Sequence, residues 1–156
     1  DNAAKYHVDP DRIGIVGFSA GGHLCASTAA LYRTLMPEAR PNAVVLGYPV
    51  ISLEKDIAHE GSALALIGKD DGTLRHELSV ENLIHTDYPP TFAWACRDDG
   101  TVPCENTERL EAKLKELGIT HECRYYPSGG HGCGLAYDNS AWQWSLDMLS
   151  FLERNL

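Results

Sequence analysis

Four short apolar runs along the chain predict the strands of a sheet. They cover residues 13–18, 43–50, 91–96 and 120–126. The first run is continuous rather than alternating, which is typical of strands buried on both faces of a parallel sheet. Between the runs, helical periodicity predicts helices over residues 20–32, 106–117 and 141–156. Strands that alternate with helices indicate an α/β fold, with a parallel sheet, right-handed crossovers and flanking helices.

The closing helix over residues 141–156 is expected to bury one apolar face against this sheet. Its candidate buried residues are Trp142, Leu146, Leu149, Phe151 and Leu152. The C-terminal end of the chain therefore belongs to the core in this interpretation.

Residues 51–88 interrupt the alternation of strands and helices. The stretch is polar and punctuated, with short helical pieces over 61–67 and 79–83. An irregular excursion between two buried strands is more often functional than disordered. We therefore expect a single domain over residues 1–156, with a pocket-lining insertion at about 51–88.

The composition limits the classes of partner and cofactor. The chain has 156 residues, 44% of them apolar, and a formal net charge of −9. An apolar content of this size indicates a globular chain, and the lack of an apolar run of about 18 residues predicts no membrane span. The negative charge argues against nucleic acid and anionic membranes as partners. Since no H-E-x-x-H or paired histidine spacing occurs, we expect no metal and no cofactor.

The cysteines bear on the cellular location. They are odd in number and form no C-x-x-C pair, so we interpret them as small buried hydrophobes in a reduced protein. The first seven residues contain neither a basic nor an apolar signal-peptide region. Both observations favour a cytoplasmic location. The sequence does not begin with Met, so secretion by a removed upstream signal stays open as the alternative.

The segment Gly17-Phe18-Ser19-Ala20-Gly21 joins the first strand to the first helix. G-x-S-x-G in this strand–turn–helix context is the pattern of a nucleophile elbow. The two glycines are expected to allow a turn that is too tight for a Cβ atom. Ser19 would then expose its hydroxyl at the carboxyl end of the strand. The alternative is a glycine-rich turn in which Ser19 only caps the helix.

A nucleophilic serine needs a base, and the base needs a third group to orient it. His131 lies in a glycine-rich loop after the fourth strand, and Asp99 follows the third strand. Because function collects at the carboxyl ends of parallel strands, these side chains are expected to meet Ser19. The chain order Ser, Asp, His is that of α/β-hydrolases. Two alternatives stay open: Asp98 exchanges roles with Asp99, or His131 is only an exposed loop residue.

Four further polar residues are interpreted as structural. His23, in the helix after the elbow, is expected to be packed rather than to act as a base. His59, Glu60 and Glu81 lie in the insertion. They either shape a pocket or are solvated loop residues, and the second interpretation is favoured.

The oxyanion hole is expected to take one donor from the N–H of Ala20, the residue after the nucleophile. The second donor normally comes from a loop after an earlier strand. The sequence contains no H-G-G-G-type motif and predicts no strand before Ile13. We therefore expect the chain by itself to be an incomplete catalyst.

Several segments, taken together and in order, resemble the acetyl-xylan esterases and related carbohydrate esterases of the α/β-hydrolase family, including bifunctional acetyl-xylan and feruloyl esterases. The matching segments are residues 9–24, 47–52, 59–62, 87–92, 98–106 and 129–136. The resemblance implies that Ser19 is the nucleophile, Asp99 the orienting acid and His131 the base.

The chain departs from this family at its beginning. The resemblance starts just before the family's elbow strand, so the first half of the family's sheet and its oxyanion loop have no counterpart. We therefore predict only the C-terminal half of an α/β-hydrolase-like fold, with about four strands. The free side of the strand over residues 13–18 would be an apolar sheet edge, which proteins normally cover. Either a missing N-terminal half or a second copy in a homodimer would cover it.

The function expected from these features is that of a serine esterase. It would hydrolyse acetyl or feruloyl-type esters of sugars or xylan fragments, so the partner is a small-molecule or oligosaccharide ester. One alternative is a serine peptidase of the prolyl-oligopeptidase type, for which no amine-binding pair of acids is recognised. The other is a catalytically inert half-domain that lacks the oxyanion loop.

Overall fold

The computed structural model describes residues 2–156 and contains one sheet of four parallel strands. The strands are β1 (Gly14–Phe18), β2 (Ala43–Gly47), β3 (Thr91–Cys96) and β4 (His121–Tyr126). They lie side by side in chain order, β1-β2-β3-β4. The predicted α/β fold with a parallel sheet and flanking helices is confirmed.

Seven helices connect and flank the strands within the described residues. They are α1 (Ala3–Tyr6), α2 (Ala20–Leu35), α3 (Glu60–Ile67), α4 (Gly72–Leu78), α5 (Val80–Leu83), α6 (Glu105–Glu116) and α7 (Trp144–Asn155). The pattern of apolar residues did not predict α4, although Asp71 caps it by accepting the N–H groups of Thr73 and Leu74. In the part of the chain that is described, no helix has the length and apolar character needed to cross a bilayer.

Alternate residues of β2 and β3 face two different layers of core, as the twofold repeat of a strand requires. Val44 and Leu46 pack with α2 and α6, whereas Val45 and Trp94 pack with α7. Every residue of these two strands is buried. This arrangement places the carboxyl ends of β1 to β4 along one rim of the sheet.

Strand β1 is not buried on both faces, so that prediction is wrong. It pairs only with β2, and Ile13 and Val16 are 41% and 48% exposed. The cause is its position at the edge of the sheet, since an apolar run indicates a strand but carries no information about the number of its neighbours.

The closing helix faces the sheet with only some of the predicted residues. It begins at Trp144, and the side chains of Trp142, Leu146 and Leu149 are about half exposed or more. Phe151 is buried as predicted and Leu152 is partly buried, whereas Trp144, which was not among the predicted residues, is buried as well. The sequence contains two apolar stripes at helical spacing, and packing against Trp94 and Phe92 selects the stripe of Trp144 and Phe151.

Candidate active site

Ser19 occupies a sharp turn between β1 and α2. Its backbone has φ 54° and ψ −125°, a conformation that residues other than glycine rarely adopt. The Ser19 N–H donates to the carbonyl of Gly47 at 3.0 Å, and its carbonyl accepts from the N–H groups of Gly22 and Val50 at 2.9 and 3.0 Å. These contacts hold the strained residue in place, as is common at functional sites.

Two glycines are sterically required in this turn, but they are not the two expected from the motif. A Cβ on Gly17 would clash with the carbonyl oxygen of Gly21 and lie 2.7 Å from Sγ of Cys25. A Cβ on Gly22 would lie 2.5 Å from Cβ of Pro49. A Cβ on Gly21 would meet no described atom within 4 Å beyond its chain neighbours and the backbone of its own helix. The expectation is therefore right for Gly17 and wrong for Gly21, and the second close approach occurs one residue later.

The structure brings Ser19, His131 and Asp99 together in one hydrogen-bonded line. Oγ of Ser19 lies 2.8 Å from Nε2 of His131, and Nδ1 of His131 lies 2.7 Å from Oδ2 of Asp99. Because the Asp99 carboxylate can only accept, Nδ1 carries the proton and Nε2 is free to accept from the Ser19 hydroxyl. Ser19 does occupy the N-cap position of α2, but its side chain makes no capping bond.

The two neighbouring acids have different partners. The second oxygen of Asp99, Oδ1, accepts the N–H groups of Thr101 and Val102, each at 2.9 Å, so the carboxylate is held from both sides. Asp98 does not contact the His131 ring in this way, and its Oδ1 accepts backbone N–H groups of the glycine-rich loop. These backbone bonds, led by that from Gly130, lower the pKa of Asp98.

Ala20 is the first residue of α2. The first N–H groups of a helix have no partner within that helix, so the Ala20 N–H, next to Ser19, has no acceptor in α2. Among the described residues, only the short helix α1 precedes β1, and no earlier strand ends near the turn to offer a second donor.

Tyr48 is the residue at this site that the sequence analysis missed. The apolar run over residues 43–50 predicts Tyr48 inside the second strand, but β2 ends at Gly47 and the ring of Tyr48 packs edge-on against His131. The ring centroids are 4.9 Å apart. The available signal was its position at the carboxyl end of a buried strand, directly before Pro49, which cannot continue the ladder.

His23 and His59 have structural contacts. His23 is buried, with Nε2 2.9 Å from the carbonyl oxygen of Leu78. Burial lowers its pKa, and the contacts with Leu78 and Glu81 only partly oppose this effect. Nδ1 of His59 accepts the N–H of Ser62 and thereby caps α3. The expectation that His23 is a packed residue is confirmed.

The insertion is held together by a buried arginine that the sequence analysis did not identify. The side chain of Arg75 is 2% exposed and donates to Glu60 at 2.6 Å, to Asp70 at 2.8 Å and to the carbonyl of Leu53 at 2.7 Å. Glu60 is therefore an exposed partner of a buried charge rather than a free loop residue. Glu81 also differs from the expectation, because it lies in α5 with a side chain only 14% exposed.

An apolar groove of about 560 Å³ runs between α2 and the insertion. It begins beside the nucleophile turn at Ala20 and Val50 and continues along α2 to Leu31. From the insertion it is lined by Leu53, His59, Gly61, Ser62, Ala65, Leu66, Leu78 and Leu83. Within residues 2–156, no three metal-ligating side chains come close enough together to hold an ion.

Comparison with known proteins gives a family match and two curated relatives. The sequence matches the prolyl oligopeptidase family over residues 2–156. It is 34% identical over 154 residues to endo-1,4-beta-xylanase B of Butyrivibrio fibrisolvens, covering 92% of this chain and 24% of that protein. It is also 34% identical over 141 residues to an acetylxylan esterase of Xylanibacter ruminicola, covering 86% of this chain and 28% of that protein.

Solved structures are similar over nearly the whole chain. An acetyl ester-xyloside bifunctional hydrolase from Caldicellulosiruptor lactoaceticus has 38% identity and a TM-score of 0.88, covering 98% of this chain and 60% of its own. A carboxylesterase from Lactobacillus plantarum has 26% identity and a TM-score of 0.83, covering 98% and 62%. The chain thus spans about a quarter of the length of the curated relatives. These matches confirm the resemblance to acetyl-xylan esterases and related carbohydrate esterases.

Proposed function

Because this chain belongs to the prolyl oligopeptidase family, we propose that its triad is that of a serine esterase acting on acylated sugars or xylan fragments. One observation carries the proposal: Oγ of Ser19 lies 2.8 Å from His131, which is bonded in turn to Asp99 at 2.7 Å. A serine that is activated in this way attacks carbonyl carbon. The names of the relatives favour an acetyl ester as the substrate, and the family resemblance of the sequence adds esters of feruloyl type.

The reaction proceeds through an acyl-enzyme. Ser19 attacks the ester carbonyl while Nε2 of His131 takes its proton, and Asp99 stabilises the imidazolium. The N–H of Ala20 donates to the oxyanion of the tetrahedral intermediate. His131 then protonates the leaving sugar hydroxyl, and water removes the acyl group from Ser19 by the same steps in reverse.

The apolar groove beside Ala20 is the proposed site of the acyl group. Its polar side chains already have partners: His23 bonds the Leu78 carbonyl, Ser27 donates to the His23 carbonyl at 2.7 Å, and His59 bonds Ser62. The groove therefore offers few free hydrogen-bonding groups to a sugar, which carries many hydroxyls. A volume of about 560 Å³ suits an acyl group larger than acetyl, such as a feruloyl group.

We propose that one and the same partner supplies the second oxyanion donor and covers the β1 edge. Losing one oxyanion donor costs about 10²–10³-fold in rate. We assign the missing donor to a polypeptide segment that packs beside β1, where Ile13 and Val16 expose apolar surface. A preceding segment of a longer protein, or a second copy of this chain, would supply that cover.

A peptidase remains the second candidate, because the matching family is named for prolyl oligopeptidases. The same triad cleaves amides when the leaving amine is protonated by the histidine. We rank it second because relatives of this chain are named as esterases.

A labelling experiment tests the proposal. The chain is incubated with a fluorophosphonate probe, and separately with aryl acetate, aryl ferulate and a proline-containing aryl amide. Labelling and ester hydrolysis should occur in the wild type, vanish in Ser19→Ala, and persist in Ser150→Ala, which alters an exposed serine on α7. Hydrolysis of the amide alone would favour the peptidase. An unlabelled wild type would favour an inert half-domain.

A further inference from the structure

We propose that Tyr48 is a positioning residue that sets the separation between Ser19 and His131. The inference rests on the proposed serine-esterase function. It depends on one short segment, Gly47 to Val50, which contacts the turn that carries the serine and the loop that carries the histidine.

The segment first binds the backbone of Ser19 on both sides. The Gly47 carbonyl accepts the Ser19 N–H at 3.0 Å, and the Val50 N–H donates to the Ser19 carbonyl at 3.0 Å. Pro49 lies so close to the first turn of α2 that only glycine fits at position 22. The nucleophile turn therefore cannot shift without moving the residues on either side of Tyr48.

Tyr48 itself reaches the histidine loop. Its ring meets the imidazole of His131 edge-on, with an interplanar angle of 66°. Its hydroxyl accepts the N–H of Gly134 at 3.2 Å. The carbonyl of the same glycine accepts Nε1–H of Trp144 at 3.0 Å. The side chains of Tyr48 and Trp144 thus bind the N–H and the carbonyl of Gly134, which lies three residues after His131.

The loop needs such external support because it is rich in glycine. Its glycines at positions 129, 130, 132 and 134 all have positive φ, and they present no side chains to pack. Asp98 holds the loop before His131 through the N–H groups of Gly129 and Gly130. Tyr48 holds it after His131 at Gly134. The histidine lies between these two anchors.

The backbone and the ring of Tyr48 are themselves both held in place. Its φ is 36°, an unusual value for a residue with a side chain, and its N–H donates to the Trp94 carbonyl at 2.6 Å. The ring is 5% exposed and packs against Trp94 and Phe18 at centroid distances of 5.0 and 5.7 Å. Burial raises the pKa of its phenol, so the group stays protonated and acts through hydrogen bonding and packing.

Two substitutions separate the hydroxyl from the ring. Tyr48→Phe removes the acceptor for Gly134 and keeps the packing against His131, whereas Tyr48→Leu removes both. We expect kcat to fall about 10-fold in the first and about 100-fold in the second, since a misplacement of about 1 Å costs about 10²-fold. KM should stay within about twofold, because Tyr48 does not line the acyl groove.

Tyr126→Phe is the matched control. Tyr126 is also buried, at 8% exposure, but its hydroxyl donates to Asp147 at 2.9 Å. Loss of this hydroxyl should cost comparable stability while kcat and the rate of fluorophosphonate labelling stay at wild-type values. Wild-type kcat in a folded Tyr48→Leu variant, judged by circular dichroism, overturns the inference.

A second readout does not depend on turnover. The Nδ1 proton of His131, bonded to Asp99, should give a downfield proton resonance in the wild type and in Tyr126→Phe. It should broaden in Tyr48→Leu as the loop loosens. An unchanged resonance in Tyr48→Leu refutes the role of Tyr48, whereas a wild type that hydrolyses no ester refutes the proposed function.

Discussion

Asp98 and Asp99 are adjacent in the chain and bind different parts of one loop. Oδ2 of Asp99 lies 2.7 Å from Nδ1 of His131, whereas Oδ1 of Asp98 accepts the N–H groups of Gly129 and Gly130 at 3.0 and 2.9 Å. One carboxylate contacts the imidazole, and the other holds the backbone that carries it. Their contributions should therefore be separable by substitution.

We predict that Asp99→Asn lowers kcat for an aryl ester by about 10⁴-fold, because an amide that donates to Nδ1 favours the wrong tautomer of His131. Asp98→Ala should cost only about 10-fold, since it loosens the loop but leaves the Asp99 contact in place. Steady-state kinetics with circular dichroism on both variants checks this. An equal or larger loss in Asp98→Ala would mean that the two acids exchange roles.

The glycines of the nucleophile turn should differ in their tolerance of alanine. Gly22→Ala would place a Cβ 2.5 Å from Cβ of Pro49, so we expect it to lower the free energy of unfolding by about 1–3 kcal/mol. Gly21→Ala should change that energy by less than about 1 kcal/mol, because its Cβ meets no described atom within 4 Å beyond its chain neighbours and its own helix backbone. Urea unfolding of both variants measures the difference. Equal losses would contradict the packing of Pro49 against this turn.

The groove along α2 should govern the choice of acyl group. We expect the wild type to prefer aryl butyrate or ferulate to aryl acetate. Leu66→Asp, which puts a charge in the groove lining, should lower kcat/KM for the bulky esters by about 10-fold and leave acetate unchanged. Leu64→Asp is the matched control, since Leu64 lies on the same helix outside the lining. An equal effect of Leu66→Asp on all esters would place the acyl group elsewhere.

Stability should depend on the protonation of His23. Burial lowers the pKa of this imidazole below its ordinary value of 6.5, so the unfolded chain takes up the proton first as the pH falls. The stabilisation from neutral His23 is thus complete above about pH 6.5 and declines below it. His23→Gln keeps a donor for the Leu78 carbonyl but does not titrate. Urea midpoints at pH 7.5 and 5.0 should differ less in this variant than in the wild type, and an equal difference contradicts the prediction.

The apolar edge of β1 should drive self-association of this chain. Val16 is 48% exposed on a strand that has a neighbour on one side only. We expect size-exclusion chromatography with light scattering to give a dimer for the wild type and a monomer for Val16→Lys. Leu149→Lys, on the outer face of α7, is the control and should stay dimeric. A monomeric wild type would contradict this prediction and would favour a preceding segment of a longer protein as the cover of this edge.

Much of the site could be predicted from the sequence because its signals are local. The elbow pattern around Ser19, the acidic turn at Asp99 and the glycine-rich loop at His131 each follow an apolar run. Because the carboxyl ends of parallel strands lie along one rim of the sheet, the order of these three residues in the chain was enough to predict that their side chains meet there. Tyr48 escaped notice because its role depends on a distant partner, Gly134, which no local pattern reveals.

The sequence by itself determined the parallel α/β sheet and the meeting of Ser19, His131 and one of two adjacent acids at its rim, because apolar runs and turn residues act over short stretches of chain. Only the tertiary structure decided which acid faces His131, which glycine is crowded and which stripe of α7 is buried. Trp142 and Trp144 both belong to apolar stripes at helical spacing. Only Trp144 packs against the β3 side of the core, whereas Trp142 is half exposed. Such choices depend on contacts between residues far apart in the chain, whose packing no local periodicity encodes.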